Sequence, residues 1–181
     1  MRTRSSVTCG ERKNDVVSIG VSAPMDPDSG AVAIMHGRDR REISLVEQST
    51  HAYDKIPLNK AIDRAIALSP HGTILVCMGR LVDEECVHRL VRTISGRFKK
   101  TTYGRRIKFL RDSSNRVGIF ASPGRIEKAR SFLCKHLVGK RDRVVGPELQ
   151  SNASNCGPDF ETVEATMIAA IGVKQHWEDA S

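Results

Sequence analysis

The sequence predicts an α+β protein, and three patterns carry that expectation. Residues 73–78 are a continuous apolar run between Gly72 and Gly79, as expected of a buried central strand. Val87, Leu90, Val91, Ile94 and Phe98 recur at helical spacing. In residues 105–110, Ile107 and Phe109 alternate with Arg106 and Lys108, the mark of a half-buried strand.

The remaining elements follow in order. Residues 16–21 and 31–35 read as short strands joined by a loop with two prolines and a glycine. A helix is expected from Arg38 to Ile56, with Ile43, Val46 and Ala52 sharing a face, until Pro57 breaks it. Asn59 can cap a second helix over 60–68, whose stripe is Ala61, Ile62, Ala65, Ile66 and Leu68. Asp83, Glu84 and Glu85 place negative charge where the next helix begins, at the positive end of its dipole. Beyond residue 110, Asp112–Asn115 supplies turn chemistry, and 116–121 returns as a partner strand. Ser122 and Pro123 open a helix through Ile126, Ala129, Phe132, Leu133 and Leu137. The strand, loop, strand, helix order of 16–56 echoes that of 105–138 and suggests an incomplete repeat. Four segments result: a flexible N-terminus (1–15), a small or partial α/β unit (16–69), a basic domain (70–140), and a linker with an acidic tail (141–181). A docking helix through Val163, Met167, Ala170 and Ile171 would contact other protein subunits through residues 160–177.

Charge is unevenly distributed along the 181 residues. The chain carries 29 Lys and Arg against 21 Asp and Glu, a formal net charge of +8. Residues 88–143 hold 17 of the cations and only 3 of the acids, which leaves the rest net acidic. A basic block inside a patterned, foldable region predicts a positive surface that attracts polyanions. No apolar run reaches the roughly 20 residues of a membrane helix, and no hydrophobic segment follows the basic start. Five cysteines, an odd number without paired spacing, fit a reducing compartment. The chain is therefore expected to be cytoplasmic, or part of a nuclear or organellar ribonucleoprotein.

The order strand, helical segment, strand, strand, helix over 70–140 resembles a KH RNA-binding domain, whose topology is β-α-α-β-β-α. The stretches that carry the resemblance are YGRRIKF (103–109), RVGIFASP (116–123) and RIEKARSFL (125–133). At the place of the family's GXXG loop stands VRTIS (91–95), without paired glycines, so the loop is degenerate. If the apolar spacing from Val87 to Phe98 is one long helix, the chain is instead similar to an Alba-like or initiation-factor-C-terminal-like β-α-β-α-β-β sandwich.

The resemblance implies RNA as the partner and a non-enzymatic role. Without the glycine clamp, side chains must supply the phosphate contacts. Arg89, Arg92, Arg97, Lys99, Lys100, Arg105, Arg106 and Lys108 are the candidates, with Tyr103 able to stack on a base. The alternative is a degenerate KH-like protein-interaction module or a subunit of a ribonucleoprotein assembly. Six scattered histidines give no metal-ligand spacing, and there is no P-loop and no GxGxxG. No catalytic residue, metal or cofactor is expected on these grounds.

Overall fold

The structure is a computed structural model that describes residues 15–22, 30–51, 58–79, 84–139 and 158–180. Strands β1 (Val16–Val21), β2 (Gly30–Arg38) and β3 (Glu42–His51) precede helix α1 (Leu58–Leu68) and strand β4 (Thr73–Met78). Helix α2 (Glu84–Phe98), strand β5 (Ile107–Phe109), α3 (Pro123–His136) and α4 (Pro158–Asp179) complete the order. All five strands join one sheet in the order β3-β2-β1-β4-β5. β1, β2 and β3 are antiparallel neighbours, whereas β4 and β5 run parallel to β1. The sheet thus crosses the boundary expected between residues 69 and 70.

Alternation decides the two faces of the sheet. Val17, Ile19 and Val21 of β1 and Ile74, Val76 and Met78 of β4 pack beneath α1 and α2. Val16, Ala31, Ala33, Leu75 and Cys77 lie on the other side, beneath α3 and α4. With helices on both faces, β1 is buried along its whole length, which explains its uninterrupted apolar run.

Four expectations need correction. Residues 42–51 are a strand rather than a helix. Asp39 and Arg40 take φ of 49° and 58°, the two successive left-handed residues of a tight hairpin turn. That turn pairs Arg38 with Glu42. A bulge follows, with Ile34 opposite Glu47 and Met35 opposite Leu45, and it leaves Val46 as the extra residue that breaks the alternation along β3. Secondly, α2 is one continuous helix through 91–95, so the helix–loop–helix of a KH domain is absent. The Val87–Phe98 stripe needs no break, since Val87, Ile94 and Phe98 all reach the core. The β-α-β-α-β-β alternative fails on the strand order and on α3.

Thirdly, residues 116–121 do not lie along β5. Asp112 Oδ1 accepts from the Ser114 and Arg116 amides and holds the expected turn. The chain then bridges Arg111 to Val117 and Gly79 to Ile119, so it hooks over the end of β4. Finally, the supposed acidic tail is the longest helix among the described residues. Ala165, Met167, Ile168, Ala169, Ala170 and Val173 of α4 are buried against the sheet, so that face is closed to another protein subunit. A helix apolar around most of its circumference belongs in a core. Residues 1–14 and 140–157, where the flexible start and the linker were expected, lie outside the described residues. Among the described residues no helix is long and apolar enough to cross a membrane.

Candidate active site at the carboxyl ends of the central strands

Small residues let α4 lie directly on β1. A Cβ on Gly20 would come within 1.9 Å of the Ala165 carbonyl oxygen, and one on Gly172 within 2.4 Å of Ser18 Oγ. Val173 and Trp177 approach Gly37, which pairs with Val16 at the start of β1. The helix therefore runs antiparallel to β1, and its first turns reach the strand's carboxyl end. Glu161 precedes Ala165 by four residues, about 6 Å along the helix axis, which carries it toward the level of Val21 and Ser22. The Gln48 side-chain amide donates to Thr166 Oγ1 at 2.6 Å, and Thr166 donates to the Thr162 carbonyl. These bonds fasten this end of α4 to β3.

β1 and β4 end at the same level, because the Gly79 amide donates to the Val21 carbonyl at 2.9 Å. Ser22 is fully buried, and its hydroxyl accepts from the Ala31 amide. The chain returns along β2 from β1 but runs on to β5 from β4, so this is where strand order reverses. In open sheets the crevice beyond the carboxyl ends at such a point is where ligands bind.

Glu161 and Glu164 are three residues apart, so they are neighbours on the helix surface. Glu161 is buried and Glu164 partly so. Burial, and then the negative charge of Glu161, push the Glu164 carboxyl up to about 6 from an ordinary 4.5. A carboxyl that titrates near neutrality can take a proton from water or return one. A carboxyl displaced in this way by burial and a like charge is a candidate for a functional group.

A second polar cluster sits at the amino ends of the strands. Asp15 accepts from His36 Nε2 at 2.7 Å and from Ser69 Oγ at 2.6 Å. Burial alone would raise the Asp15 carboxyl, but the two hydrogen bonds and the charges of His36 and Arg38 outweigh it and lower it. Ser69 Oγ also accepts from the Gly72 amide. The serine is thus bonded to the carboxylate and not to the histidine, so no base is placed to activate it.

The residues expected to bind RNA are divided by the structure. The Arg106 guanidinium donates to the carbonyls of Ser69, Pro70 and Gly72, and so holds the turn that joins α1 to β4. Tyr103 stacks against it at 5.6 Å. Arg97 makes two hydrogen bonds to the Asp63 carboxylate, at 2.9 and 3.0 Å. Lys99, Lys100 and Arg105 line a single groove of about 700 Å³. Arg89 and Arg92 are exposed along α2, and Lys108 is exposed on β5. Lys99, Lys100, Arg105 and Arg106 lie toward the amino ends of β4 and β5, away from the carboxyl ends of β1 and β4.

No protein-family model matches the sequence, and no curated protein matches it significantly. Solved structures do match. The human cytomegalovirus terminase nuclease domain superposes with a TM-score of 0.51 at 11% identity, over 88% of this chain and 82% of that one. The manganese-soaked form of the same viral domain gives 0.54 at 10% identity, over 97% and 89%. The chain therefore shares its fold with this viral domain. This overturns the KH resemblance, and with it the expectation of a non-enzymatic RNA-binding or ribonucleoprotein component, because the structures that share this fold are enzyme domains.

Sequence reasoning missed Glu161 and Glu164. The signal was present: two acids at helical spacing stand near the start of the most apolar helix among the described residues. It was obscured because the Gly/Pro/Ser-rich approach to that helix made the whole region read as a tail.

Proposed function

We propose that the chain is a nuclease domain that hydrolyses phosphodiester bonds of nucleic acid at the Glu161–Glu164 end of the sheet. One observation carries this reading: a like-charged carboxylate pair stands at the carboxyl ends of the two central strands, in a fold shared with terminase nuclease domains. Above pH 6 the ionised Glu164 accepts a proton from a water whose oxygen attacks the phosphorus. The P–O ester bond breaks, and the leaving alkoxide takes a proton from solvent. Glu161 keeps the proton affinity of Glu164 high enough for this role, because two adjacent negative charges oppose each other.

One neighbour was soaked with manganese, and oxygen donors are what hard divalent cations take. The fit here is partial. Glu161 and Glu164 supply two carboxylates, while β1 and β4 end in Ser22 and Gly79. Among the described residues no group of three or more His, Cys, Asp or Glu side chains could hold a metal ion. No step is therefore assigned to a cation on these residues.

The test is cleavage of labelled single-stranded DNA, duplex DNA and RNA by the full chain, with manganese and with a chelator. Glu161→Gln and Glu164→Gln should each lower the rate by about 100-fold, the usual contribution of a positioned general base. The rate of the parent should rise with pH through about 6 as Glu164 ionises. Cleavage that survives both substitutions would place the chemistry elsewhere.

A further inference from the structure

Away from the carboxylate pair, the structure holds a groove between the last turns of α2 and the edge strand β5. β5 begins at Ile107 beside Ile74, near the start of β4, so the groove lies toward the amino ends of the strands and on the opposite face from α4. Its floor is apolar, formed by Ile94, Phe98, Ile107 and Phe109. Its rim is cationic: Lys99, Lys100 and Arg105 line it, and no acidic residue does. All three are exposed, and none has a hydrogen-bond or ion-pair partner among the described residues. This sets them apart from Arg97 and Arg106, whose guanidinium groups are already engaged.

The rim is held firmly by its backbone. The Thr101 amide and hydroxyl both donate to the Phe98 carbonyl. The Gly104 amide donates to the Thr101 carbonyl, and the Arg106 amide to that of Tyr103. Gly104 has no alternative residue type, since a Cβ there would stand 2.4 Å from the Phe98 carbonyl oxygen. The Arg106 fork then locks the end of this turn to residues 69–72. Three unpaired cations are thus presented on a rigid support, so little ordering is required when an anion arrives.

We infer that this groove binds the backbone of a single-stranded nucleic acid, at a contact separate from the Glu161–Glu164 site. The three cations take phosphates, and the apolar floor takes the face of a base. A duplex keeps its bases stacked inside, so it would satisfy the rim and leave the floor empty, whereas a single strand satisfies both. An acidic protein segment would match the rim only.

The experiment measures equilibrium binding by the full chain in chelator, with each probe checked for intact length afterwards so that hydrolysis is accounted for. The probes are twelve-residue oligo-dT, oligo-U, a twelve-base-pair duplex and polyglutamate. Both single strands should bind, more tightly than the duplex or polyglutamate. Whether dT or U binds better tells DNA from RNA. The triple variant K99E/K100E/R105E should lose at least 30-fold in affinity for the preferred strand. Its log–log salt slope should be shallower by about 2, at roughly 0.7 per lost phosphate contact. The neutral variant K99Q/K100Q/R105Q should lose less affinity but the same slope, which covers the case in which the reversed charges disturb the fold. Reversing three exposed lysines elsewhere (Lys60, Lys128 and Lys135) makes the same change in net charge and should cost under 5-fold. Equal losses in the two charge-reversed variants would reduce the effect to net charge and overturn the inference. So would preferred binding of duplex or polyglutamate, or an unchanged salt slope in the triple variants.

Discussion

The two ends of the central strands solve opposite electrostatic problems. At the amino ends, Asp15 faces His36 and Ser69, both of which stabilise its charge, and its carboxyl is lowered despite burial. At the carboxyl ends, Glu164 faces Glu161, which opposes its charge, and its carboxyl is raised to about 6. Both are carboxylates at the limits of the same sheet, yet only one is satisfied. A satisfied charge ties residues 15, 36 and 69 into one support for the start of β1. The opposed charge costs stability and leaves a group poised to exchange a proton. Strain retained in this way points to chemistry, while strain removed points to architecture.

The largest effect should come from breaking the satisfied end. Asp15→Ala leaves His36 Nε2 and Ser69 Oγ without their acceptor in a nearly closed site. The expected loss is about 3 kcal/mol of unfolding free energy in a denaturant titration, as for other buried groups deprived of a partner. Asp15→Asn keeps an acceptor oxygen and should cost less. If Asp15→Ala unfolds at the parent's denaturant concentration, the amino-end cluster is not the support described here.

The end with opposed charges should respond in the reverse sense. Glu164→Gln removes the like-charge contact with Glu161, so stability at pH 7 should rise, by no more than about 1 kcal/mol given the group's partial exposure. Cleavage should fall by about 100-fold in the same protein. A substitution that stabilises and inactivates together separates a functional group from a structural one. A fall in both quantities would mean that Glu164 mainly holds α4 in place.

Local pattern was legible in this sequence, and long-range order was not. β4 spans the same residues as the apolar run 73–78, and α2 follows the stripe from Val87 to Phe98, because each burial pattern is set within one element. The 42–51 strand was hidden by its bulge at Val46 and by a hairpin turn made from Asp39 and Arg40 rather than Asn and Gly. The pairing of β1 with β4 across more than fifty residues has no local signature. α4 looked like a tail because nothing local says that it covers the sheet. The tolerance for it lies in Gly20 and Gly172, whose missing side chains make sense only once helix and strand meet. The candidate site shares that fate, since Glu161 gains its meaning from the strand ends that it reaches.

Arg106 offers a smaller test, on the side of the satisfied end. Its fork binds three carbonyls in the turn that also contains Ser69, so it extends the amino-end support to β5. Arg106→Ala should cost about 2 kcal/mol, the range for a lost set of charge-assisted hydrogen bonds. Arg106→Lys should recover only part of this, because an ammonium cannot span the three acceptors. Nucleic-acid affinity should change less than for Lys99, Lys100 and Arg105, since the guanidinium is turned into the protein. A loss of affinity equal to theirs would place Arg106 on the rim after all.

The smallest expected effect is also the most direct comparison of the two ends, because their carboxylates respond to pH with opposite signs. The Asp15 carboxyl is lowered on folding, so the unfolded chain binds its proton more readily. Its contribution is complete above the ordinary value of 3.8 and is lost as pH falls below it. The Glu164 carboxyl is raised from 4.5 to about 6, so the folded chain holds the proton more readily. Its contribution is complete below 4.5 and is lost as pH rises to 6. Unfolding free energy should therefore decline by up to about 1 kcal/mol between pH 4.5 and 6, after allowance for solvent screening of a partly exposed group. It should fall again below pH 3.8. Glu164→Gln should remove the first slope and keep the second, whereas Asp15→Asn should weaken the second and keep the first. If both slopes disappear with one substitution, the two ends titrate as a single system, and the contrast between satisfied and opposed charge does not hold.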